Sequence, residues 1–154
     1  MMITKILFVC HGNICRSPMA EFVLKDMVNK KGLQEEFEIR SAATSTEEIG
    51  SPVHPGTRKI LSAHGISCAG KVAVQIKKSD CEYYDYIIGM DEMNIRNIER
   101  ICPSRTEAKV FKLLDFTDEK RDIADPWYTG DFQKTYDDVI NGCAGLLEYI
   151  GKEI

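Results

Sequence analysis

Residues 10–17, which read CHGNICRS, combine a nucleophile with groups that can hold an oxyanion. Cys10 offers a thiol that can attack phosphorus once it is ionised, and Arg16 follows six positions later. The planar guanidinium of an arginine can hold two phosphate oxygens at once, and the Ser17 hydroxyl can donate to sulfur. Cysteine and arginine at this spacing are weak evidence on their own. With a glycine between them and a serine after them, they predict phosphoryl transfer through a phosphocysteine.

The elements on either side of this segment would place the thiol at a point of positive potential. Residues 3–9 are almost continuously apolar, which is typical of a strand buried on both faces of a parallel sheet. Ser17 and Pro18 predict the N-cap and the first position of a helix that Gly32 ends. A compact loop before a helix aims several backbone N–H groups at one point, where the helix dipole adds positive potential. We therefore expect Cys10 to be a thiolate at neutral pH.

Farther along the chain, short apolar runs alternate with amphipathic stretches. Three more strands are predicted at residues 37–40, 86–90 and 110–114. Helices are predicted at residues 58–64, from Asp91 to about residue 100 before Pro103, and along residues 132–150. This alternation is typical of an α/β fold, here an open doubly wound four-stranded parallel sheet with helices on both faces and a phosphate-binding loop after the first strand. Because no repeat or linker interrupts the pattern, residues 1–154 are expected to form a single domain.

Three predicted loops should meet at one edge of this sheet. If all strands are parallel, the loops after them lie along the same edge, where open α/β folds bind ligands. Loops 10–16, 41–45 and 115–130 each follow a different strand. The third loop contains four candidates for an acid or base, and the residues alone do not select among Asp115, Asp118, Asp122 and Asp125.

Composition and charge argue against several classes of protein. With 20 Lys and Arg against 24 Asp and Glu, a net charge of −4 does not suit a nucleic-acid binder, which needs a basic face. No apolar run approaches the ~20 residues of a transmembrane helix, and no secretion signal is expected. The six cysteines contain no CxxC pair, so we expect a cytoplasmic protein with mostly free thiols. A zinc site from Cys10, His11 and Cys15 is disfavoured because its spacing and ligand number are wrong, and no metal or cofactor is expected.

Residues 6–21, which read ILFVCHGNICRSPMAE, resemble the signature of the low-molecular-weight protein tyrosine phosphatases. The similarity continues through Ser41-Ala42-Ala43-Thr44, His64-Gly65-Ile66, Gly89-Met90-Asp91 and Asp125-Pro126-Trp127. It covers nearly the whole chain, which would form one domain of this family. The resemblance implies an enzyme that hydrolyses phosphotyrosine and releases inorganic phosphate. Its partner would be a phosphotyrosine-containing protein, with a cognate tyrosine kinase as one candidate, and neither a nucleic acid nor a membrane.

The resemblance also implies a role for individual residues. Cys10 would be the nucleophile, Arg16 would hold the equatorial oxygens of the phosphoryl group, and Asp125 would be the general acid and base. Ser41 would support the loop. The substrate-binding residues would be His11, Gly12, Ile14 and Cys15 of the loop, Asn13 in a left-handed conformation, Ser17 as donor to the Cys10 sulfur, and Trp127 and Tyr128 as aromatics around the phenol ring.

The match with the family fails at three positions. Glu47 stands where the family has a second rim aromatic, so one wall of the slot is charged. Lys71 stands where many relatives have a histidine that supports the loop, and an ammonium cannot accept a hydrogen bond as an imidazole does. How the loop is braced is therefore open. His11 replaces a small or apolar residue and is expected to face solvent; in its protonated form it would favour the thiolate of Cys10.

The cysteines are expected to remain thiols, with one exception. The resemblance implies a reversible disulfide between Cys10 and Cys15, which would protect the nucleophile from over-oxidation. The others are interpreted as core or surface residues, namely Cys68, Cys81, Cys102 and Cys143, the last on the apolar face of the final helix.

Other functions stay open as alternatives. Ile14 favours phosphotyrosine over phosphoarginine, because arginine-phosphate phosphatases tend to have threonine there. Ile88 occupies the position of the cysteine that an arsenate reductase would pair with Cys81. A phosphocarrier would pass phosphate from Cys10 to a partner without needing Asp125, and a phosphate-binding module would not turn over at all.

Overall fold

A computed structural model describes residues 3–102 and 108–153 of the 154-residue chain. The four strands are β1 (Thr4–Cys10), β2 (Phe37–Ala43), β3 (Tyr86–Gly89) and β4 (Lys109–Lys112). The helices are α1 (Arg16–Lys30), α2 (Pro55–Ala63), α3 (Lys78–Tyr83), α4 (Glu92–Ile101), α5 (Pro126–Thr129) and α6 (Phe132–Glu153). Two 3-10 helices cover Gln34–Glu36 and Leu113–Phe116.

The four strands form one sheet in the order β2-β1-β3-β4, and every neighbouring pair is parallel. In register, Ile6 lies opposite Ile39 on one side and Tyr86 on the other. The chain leaves β1 toward β2 and later returns to its other side as β3. The crevice beyond the carboxyl ends of β1 and β3 is therefore the switch point at which such sheets bind ligands.

Helices cover both faces of the sheet, as predicted. Side chains on a strand alternate between faces, so Ile6 and Phe8 enter one core while Leu7 and Val9 enter another. The first core is closed by α1, α2 and α6, and the second by α3 and α4. These four strand residues are at most 2% exposed. The open doubly wound four-stranded parallel sheet is confirmed.

The start of α1 differs from the prediction. The helix begins at Arg16 with Cys15 at the N-cap position, and no side chain caps it. Ser17, predicted as the N-cap, lies within the first turn, and its hydroxyl is used elsewhere. The prediction was wrong because it relied on the capping preference of serine, whereas the compact turn before the helix brings the chain into helical geometry two residues earlier.

Other boundaries shift for similar local reasons. Helix α2 starts at Pro55 rather than residue 58, because the His54 ring accepts the Gly56 N–H at 3.0 Å and caps it. Strand β4 ends at Lys112, so Leu113 and Leu114 belong to a 3-10 turn instead of the strand. The short helices α3 and α5 were not predicted. The stop assigned to Pro103 lies outside the described residues.

The expectation for the cysteines was wrong at one pair. Cys81 in α3 and Cys102 just after α4 form a disulfide, with their Cα atoms 5.6 Å apart. Both are buried in the core between the sheet and these two helices. The two residues are 21 positions apart in the sequence, and only helix packing brings them together. The other cysteines are free and buried, namely Cys10, Cys15, Cys68 and Cys143.

Helix α6 packs closely on the 3-10 turn Leu113–Phe116, at the start of the loop of residues 115–130, which is called the acidic loop below. A Cβ added at Gly145 would overlap the Phe116 carbonyl oxygen, and one at Gly142 would overlap the Leu113 side chain. These two glycines let the helix approach the backbone of the turn. Among the described residues, no helix combines the length and the apolar character needed to cross a membrane.

Replacing Gly145 with alanine is expected to destabilise the fold. Because the added methyl meets backbone atoms that cannot rotate away, we expect the Gly145→Ala variant to lose about 1–3 kcal/mol of unfolding free energy. Gly151→Ala is the control, since nothing lies within 4 Å of a Cβ there and alanine favours helix by about 1 kcal/mol. Urea unfolding followed by circular dichroism measures both. Equal stability of the two variants would contradict the close approach.

Candidate active site

The loop between β1 and α1 turns tightly at the carboxyl end of β1. Asn13 has φ 59° and is the single non-glycine residue with a positive φ in the described part of the chain. Asparagine tolerates this left-handed region better than most residues. The loop after β2 holds the turn, because Thr44 N–H donates to Cys10 C=O at 3.0 Å and Ser45 N–H to His11 C=O at 3.1 Å. The expected left-handed Asn13 is therefore present.

Cys10 ends β1 with 3% of its surface exposed and faces the first turn of α1. Its Sγ lies 3.0 Å from Ser17 Oγ and 3.4 Å from the Ser17 N–H nitrogen. Asn13 Nδ2 donates to the same hydroxyl oxygen at 2.7 Å, so the hydroxyl hydrogen is left to point at sulfur. Two donors from Ser17 and the start of α1 would thus stabilise negative charge on Cys10.

The Arg16 side chain is buried, with 2% of its surface exposed, and hydrogen bonds hold its guanidinium in place. Its Nη1 donates to Asp91 Oδ2 at 2.7 Å and to Ile123 C=O at 2.8 Å. Its Nη2 lies 3.5 Å from Asp125 Oδ2. Burial by itself would lower the pKa of this guanidinium, but the nearby Cys10 sulfur and carboxylates outweigh burial and raise it. Arg16 is therefore a permanent positive charge in a fixed place.

The Nε–H of Arg16 is buried without a hydrogen-bond partner. Within the described residues, the one other buried side-chain nitrogen or oxygen in this state is Thr44 Oγ1. Leaving a buried donor unpaired costs about 1–3 kcal/mol, so native proteins seldom keep one. Nε and Nη2 form one edge of the guanidinium, and Nη2 makes only the long contact to Asp125. This edge is available to an oxyanion.

Asn13 is the centre of a hydrogen-bond network that fixes the loop. Its Oδ1 accepts the Val74 N–H at 3.2 Å, and its Nδ2 donates to Ser17 Oγ at 2.7 Å and to Ser41 Oγ at 2.9 Å. Ser41 in turn donates to Glu21 Oε1 at 2.6 Å. All five residues except Val74 are at most 2% exposed. Strand β2, helix α1 and the segment after residue 71 thus hold one asparagine.

Lys71 completes this network, and its contacts show how the loop is braced without the histidine that many relatives have. Its Nζ donates to Ser41 C=O at 2.9 Å and lies 3.8 Å from Glu21 Oε1, with 12% of the side chain exposed. Burial lowers the pKa of Lys71, while the charge of Glu21 opposes that shift. A lysine needs no acceptor function here, because it donates to a carbonyl and offsets the charge of a buried carboxylate.

Removing the Lys71 charge is expected to loosen the loop. In Lys71→Met the Ser41 carbonyl loses its donor, and Glu21 loses one of its two cation partners in the described part of the chain and keeps Lys25. We expect kcat/KM for an aryl phosphate to fall about 10- to 100-fold, since a shift of about 1 Å at a reacting group can cost 10²-fold. Lys152→Met, at a side chain 75% exposed, is the matched control. Steady-state kinetics that show equal rates for both variants would contradict this role.

A cavity of about 190 Å³ opens above the loop. Its lining consists of Cys10, His11, Gly12, Ile14, Cys15, Glu47, Glu48, Asp125, Trp127 and Tyr128. Trp127 and Tyr128 are 57% and 84% exposed and form one wall. Glu47 also lines the cavity and pairs with His11. Asn13, Ser17 and Ser41 are not among the lining residues and are hydrogen-bonded to one another next to Cys10.

Of the four aspartates in the acidic loop, only Asp125 lines this cavity. Its Oδ1 accepts the Trp127 N–H at 3.0 Å and caps α5, while Oδ2 faces Arg16. Asp115 accepts the backbone N–H of Lys112, and Asp122 accepts its ammonium, so both serve structure. Asp125 is therefore the one aspartate of these four that the structure places at the cavity.

A family model described as "Low molecular weight phosphotyrosine protein phosphatase" matches residues 5–154. The chain belongs to this family. The phosphatase is 41% identical to the low molecular weight protein-tyrosine-phosphatase YfkJ of Bacillus subtilis over 150 residues, which are 96% of each chain. It is 39% identical over 149 residues to PtpA of Staphylococcus aureus strain MRSA252, covering 96% of this chain and 94% of that protein.

The fold of the phosphatase agrees with that of its relatives. The crystal structure of YfkJ superimposes with a TM-score of 0.95 at 39% identity, covering 99% of this chain and 98% of that one. The resemblance inferred from residues 6–21 is therefore confirmed, as is the enzyme class: the chain is a hydrolase of the low-molecular-weight protein tyrosine phosphatase type.

Several residues of this phosphatase site were not predicted. Asp91 and the Ile123 carbonyl hold Arg16, and Glu21, Lys71 and the Val74 amide hold the loop. The Gly89-Met90-Asp91 stretch carried a signal for Asp91, because it matched the family and follows a strand. Backbone groups leave no such signal, since any residue type supplies them.

Cys15 lies beside Cys10 in the lining but differs from it in environment. It is 4% exposed, and burial, followed by the charges of Cys10 and Asp125, raises its pKa to about 12. Cys15 is therefore a neutral thiol at physiological pH, and the disulfide between the two cysteines stays a prediction. No group of three or more His, Cys, Asp or Glu side chains with metal-binding geometry occurs among the described residues.

Proposed function

We propose that this phosphatase hydrolyses phosphotyrosine in proteins through a phosphocysteine on Cys10, with Asp125 as general acid and base. The observation that supports this most directly is the buried, unpartnered Nε of Arg16, the first residue of α1, whose guanidinium interacts electrostatically with Cys10. A phosphoryl dianion is the chemical group that would satisfy this donor and the loop amides together.

In the first step the Cys10 thiolate attacks phosphorus. The S–P bond forms as the bond to the phenolic oxygen breaks, and Asp125 gives its proton to that oxygen so that tyrosine leaves as a neutral phenol. Negative charge in the loose transition state is spread over the three equatorial oxygens. The Arg16 edge and the loop N–H groups meet these oxygens, and they need no reorganisation because Asn13 and its partners already fix them.

In the second step water replaces sulfur. The Asp125 carboxylate takes a proton from a water molecule, whose oxygen attacks phosphorus on the side that the phenol left. The S–P bond breaks, inorganic phosphate is released and the thiolate returns. Ser17 donates to sulfur in both steps, which makes sulfur a better leaving group in the second.

The cavity would bind the aromatic ring of the substrate. Trp127 and Tyr128 offer faces against which a phenol ring can stack. His11, Gly12, Ile14 and Cys15 form the base around the phosphate. The ring length of tyrosine would bridge the rim and the Cys10 sulfur, whereas shorter phosphoserine would leave the aromatic wall unused. Cytoplasmic location and a cognate kinase partner stay predictions.

The test of this proposal is detection of the intermediate. Mixing the Asp125→Asn variant with 2,4-dinitrophenyl phosphate in the presence of EDTA is expected to give a burst of one equivalent of the phenol, because this phenol leaves without help from an acid while water attack is slowed. Intact-mass analysis after rapid quenching should show one added phosphoryl group, and peptide mapping should place it on Cys10. Phosphate on another residue would overturn the mechanism, and phosphate that passes only to an acceptor molecule would favour a phosphocarrier.

A further inference from the structure

We propose that Arg121 and Asp138 are positioning residues that hold the loop carrying Asp125 in register with Cys10. This inference rests on the proposed function, because it assumes that Asp125 is the general acid. It adds two residues that are 17 positions apart in the sequence and that act on the position of this acid. Neither residue lines the cavity, and both act through the chain between residues 121 and 125.

The pair is built as a clamp. Arg121 Nη1 and Nη2 donate to the two carboxylate oxygens of Asp138 at 3.0 and 2.9 Å, the two-bond geometry that guanidinium and carboxylate favour. The Asp138 side chain is only 4% exposed and belongs to α6, whose apolar face is part of the main core. The clamp therefore ties the acidic loop to a helix that is packed into the main core.

The same guanidinium also grips the backbone of its own loop. Nη1 donates to the Asp122 C=O at 3.1 Å, and Nη2 donates to Glu119 at 3.0 Å. Asp122 accepts the Glu92 N–H and the Lys112 ammonium, both at 3.0 Å. The loop is thus fixed at residues 119–122 by contacts with α6, α4 and β4.

Ile123, the next residue, connects the fixed part of the loop to Arg16 and Asp125. Ile123 is 1% exposed, its N–H donates to Met90 C=O at 2.9 Å and its C=O accepts Arg16 Nη1 at 2.8 Å. Asp125 follows two residues later, with its carboxylate 3.5 Å from the same guanidinium. Few free backbone angles remain between the clamp and the acid, so displacement of Arg121 would displace Asp125 relative to the leaving oxygen.

Such a displacement has a kinetic signature that simple loss of stability lacks. A general acid matters most when the leaving phenol is weakly acidic and least when it departs readily as a phenolate. The value of kcat/KM reports steps up to departure of the phenol, so it isolates the proton donation. A misplaced acid would therefore lower kcat/KM for phenyl phosphate while sparing that for 2,4-dinitrophenyl phosphate, whereas partial unfolding would lower both equally.

The experiment compares these two substrates in Arg121→Met, Asp138→Asn, Asp125→Asn and Lys134→Met. Lys134→Met is the matched control, because Lys134 also faces Asp138, at 3.5 Å, but sits on α6 and does not touch the loop. We expect Arg121→Met and Asp138→Asn to lose about 10- to 100-fold in kcat/KM with phenyl phosphate and to change little with the activated ester. Arg121→Lys, which keeps the charge but not the fork, should recover part of the loss.

The pattern of kcat/KM losses on the two substrates tests the clamp and the role of Asp125 separately. The proposal is supported if the two clamp variants share the selective loss of Asp125→Asn and Lys134→Met does not. Equal loss on both substrates, or no loss in the clamp variants while Asp125→Asn is selective, would overturn the clamp and leave the proposed function intact. Absence of a selective loss in Asp125→Asn itself would overturn the proposed role of Asp125, and the clamp with it.

Discussion

Replacing Cys10 with serine is expected to abolish hydrolysis of phosphotyrosine peptides and of aryl phosphates. The serine hydroxyl has no base beside it, since its neighbour Ser17 is a donor, so the nucleophile is lost while the loop keeps its shape. Loss of a nucleophile in other enzymes costs several orders of magnitude, and we expect kcat to fall by at least about 10⁴-fold. Steady-state release of the phenol from a chromogenic ester measures the change.

Binding should survive this substitution. Arg16 and the loop amides are untouched, so Cys10→Ser is expected still to bind a phosphotyrosine peptide, as measured by calorimetry. Cys68→Ser is the matched control, because Cys68 is a free, buried cysteine outside the site. Retained activity in Cys10→Ser, or its loss in Cys68→Ser, would contradict the assignment of the nucleophile.

Replacing Asp125 with asparagine is expected to lower kcat by about 10²- to 10⁴-fold, the usual contribution of a general acid and base. The amide oxygen can still accept the Trp127 N–H and so cap α5, which retains the loop geometry. The loss of rate then measures the contribution of proton transfer by Asp125. The limb of the pH–rate profile that reports the protonated acid should vanish in the variant. Profiles of kcat and kcat/KM against pH measure both effects.

Asp118→Asn separates this effect from a general loss of acidic charge. Asp118 is exposed in the same loop and does not line the cavity, so its variant should keep the activity and the pH profile of the unaltered protein. If Asp118→Asn loses as much activity as Asp125→Asn, or if Asp125→Asn retains the full profile, Asp125 is not the acid.

Much of this site follows from residues that are neighbours in the sequence. Cys10, Asn13, Arg16 and Ser17 are within eight positions, and the geometry of a strand, a tight loop and a helix start largely determines where they point. The buried strand at residues 3–9 and the alternation of elements predicted the parallel sheet for the same reason, because hydrophobic periodicity is a local property. The helix start itself was misplaced by two residues, since capping preference is weaker than loop geometry.

The remaining parts depend on elements far apart in the chain. The position of Asp125 at the cavity, the hold of Asp91 on Arg16 and the disulfide between Cys81 and Cys102 all follow from how helices pack on the sheet. Lys71 could be recognised as a departure from the family, but its bond to the Ser41 carbonyl could not, because a backbone acceptor has no residue identity. Sequence thus determined the chemistry of contiguous groups, and tertiary packing decided which distant groups reach them.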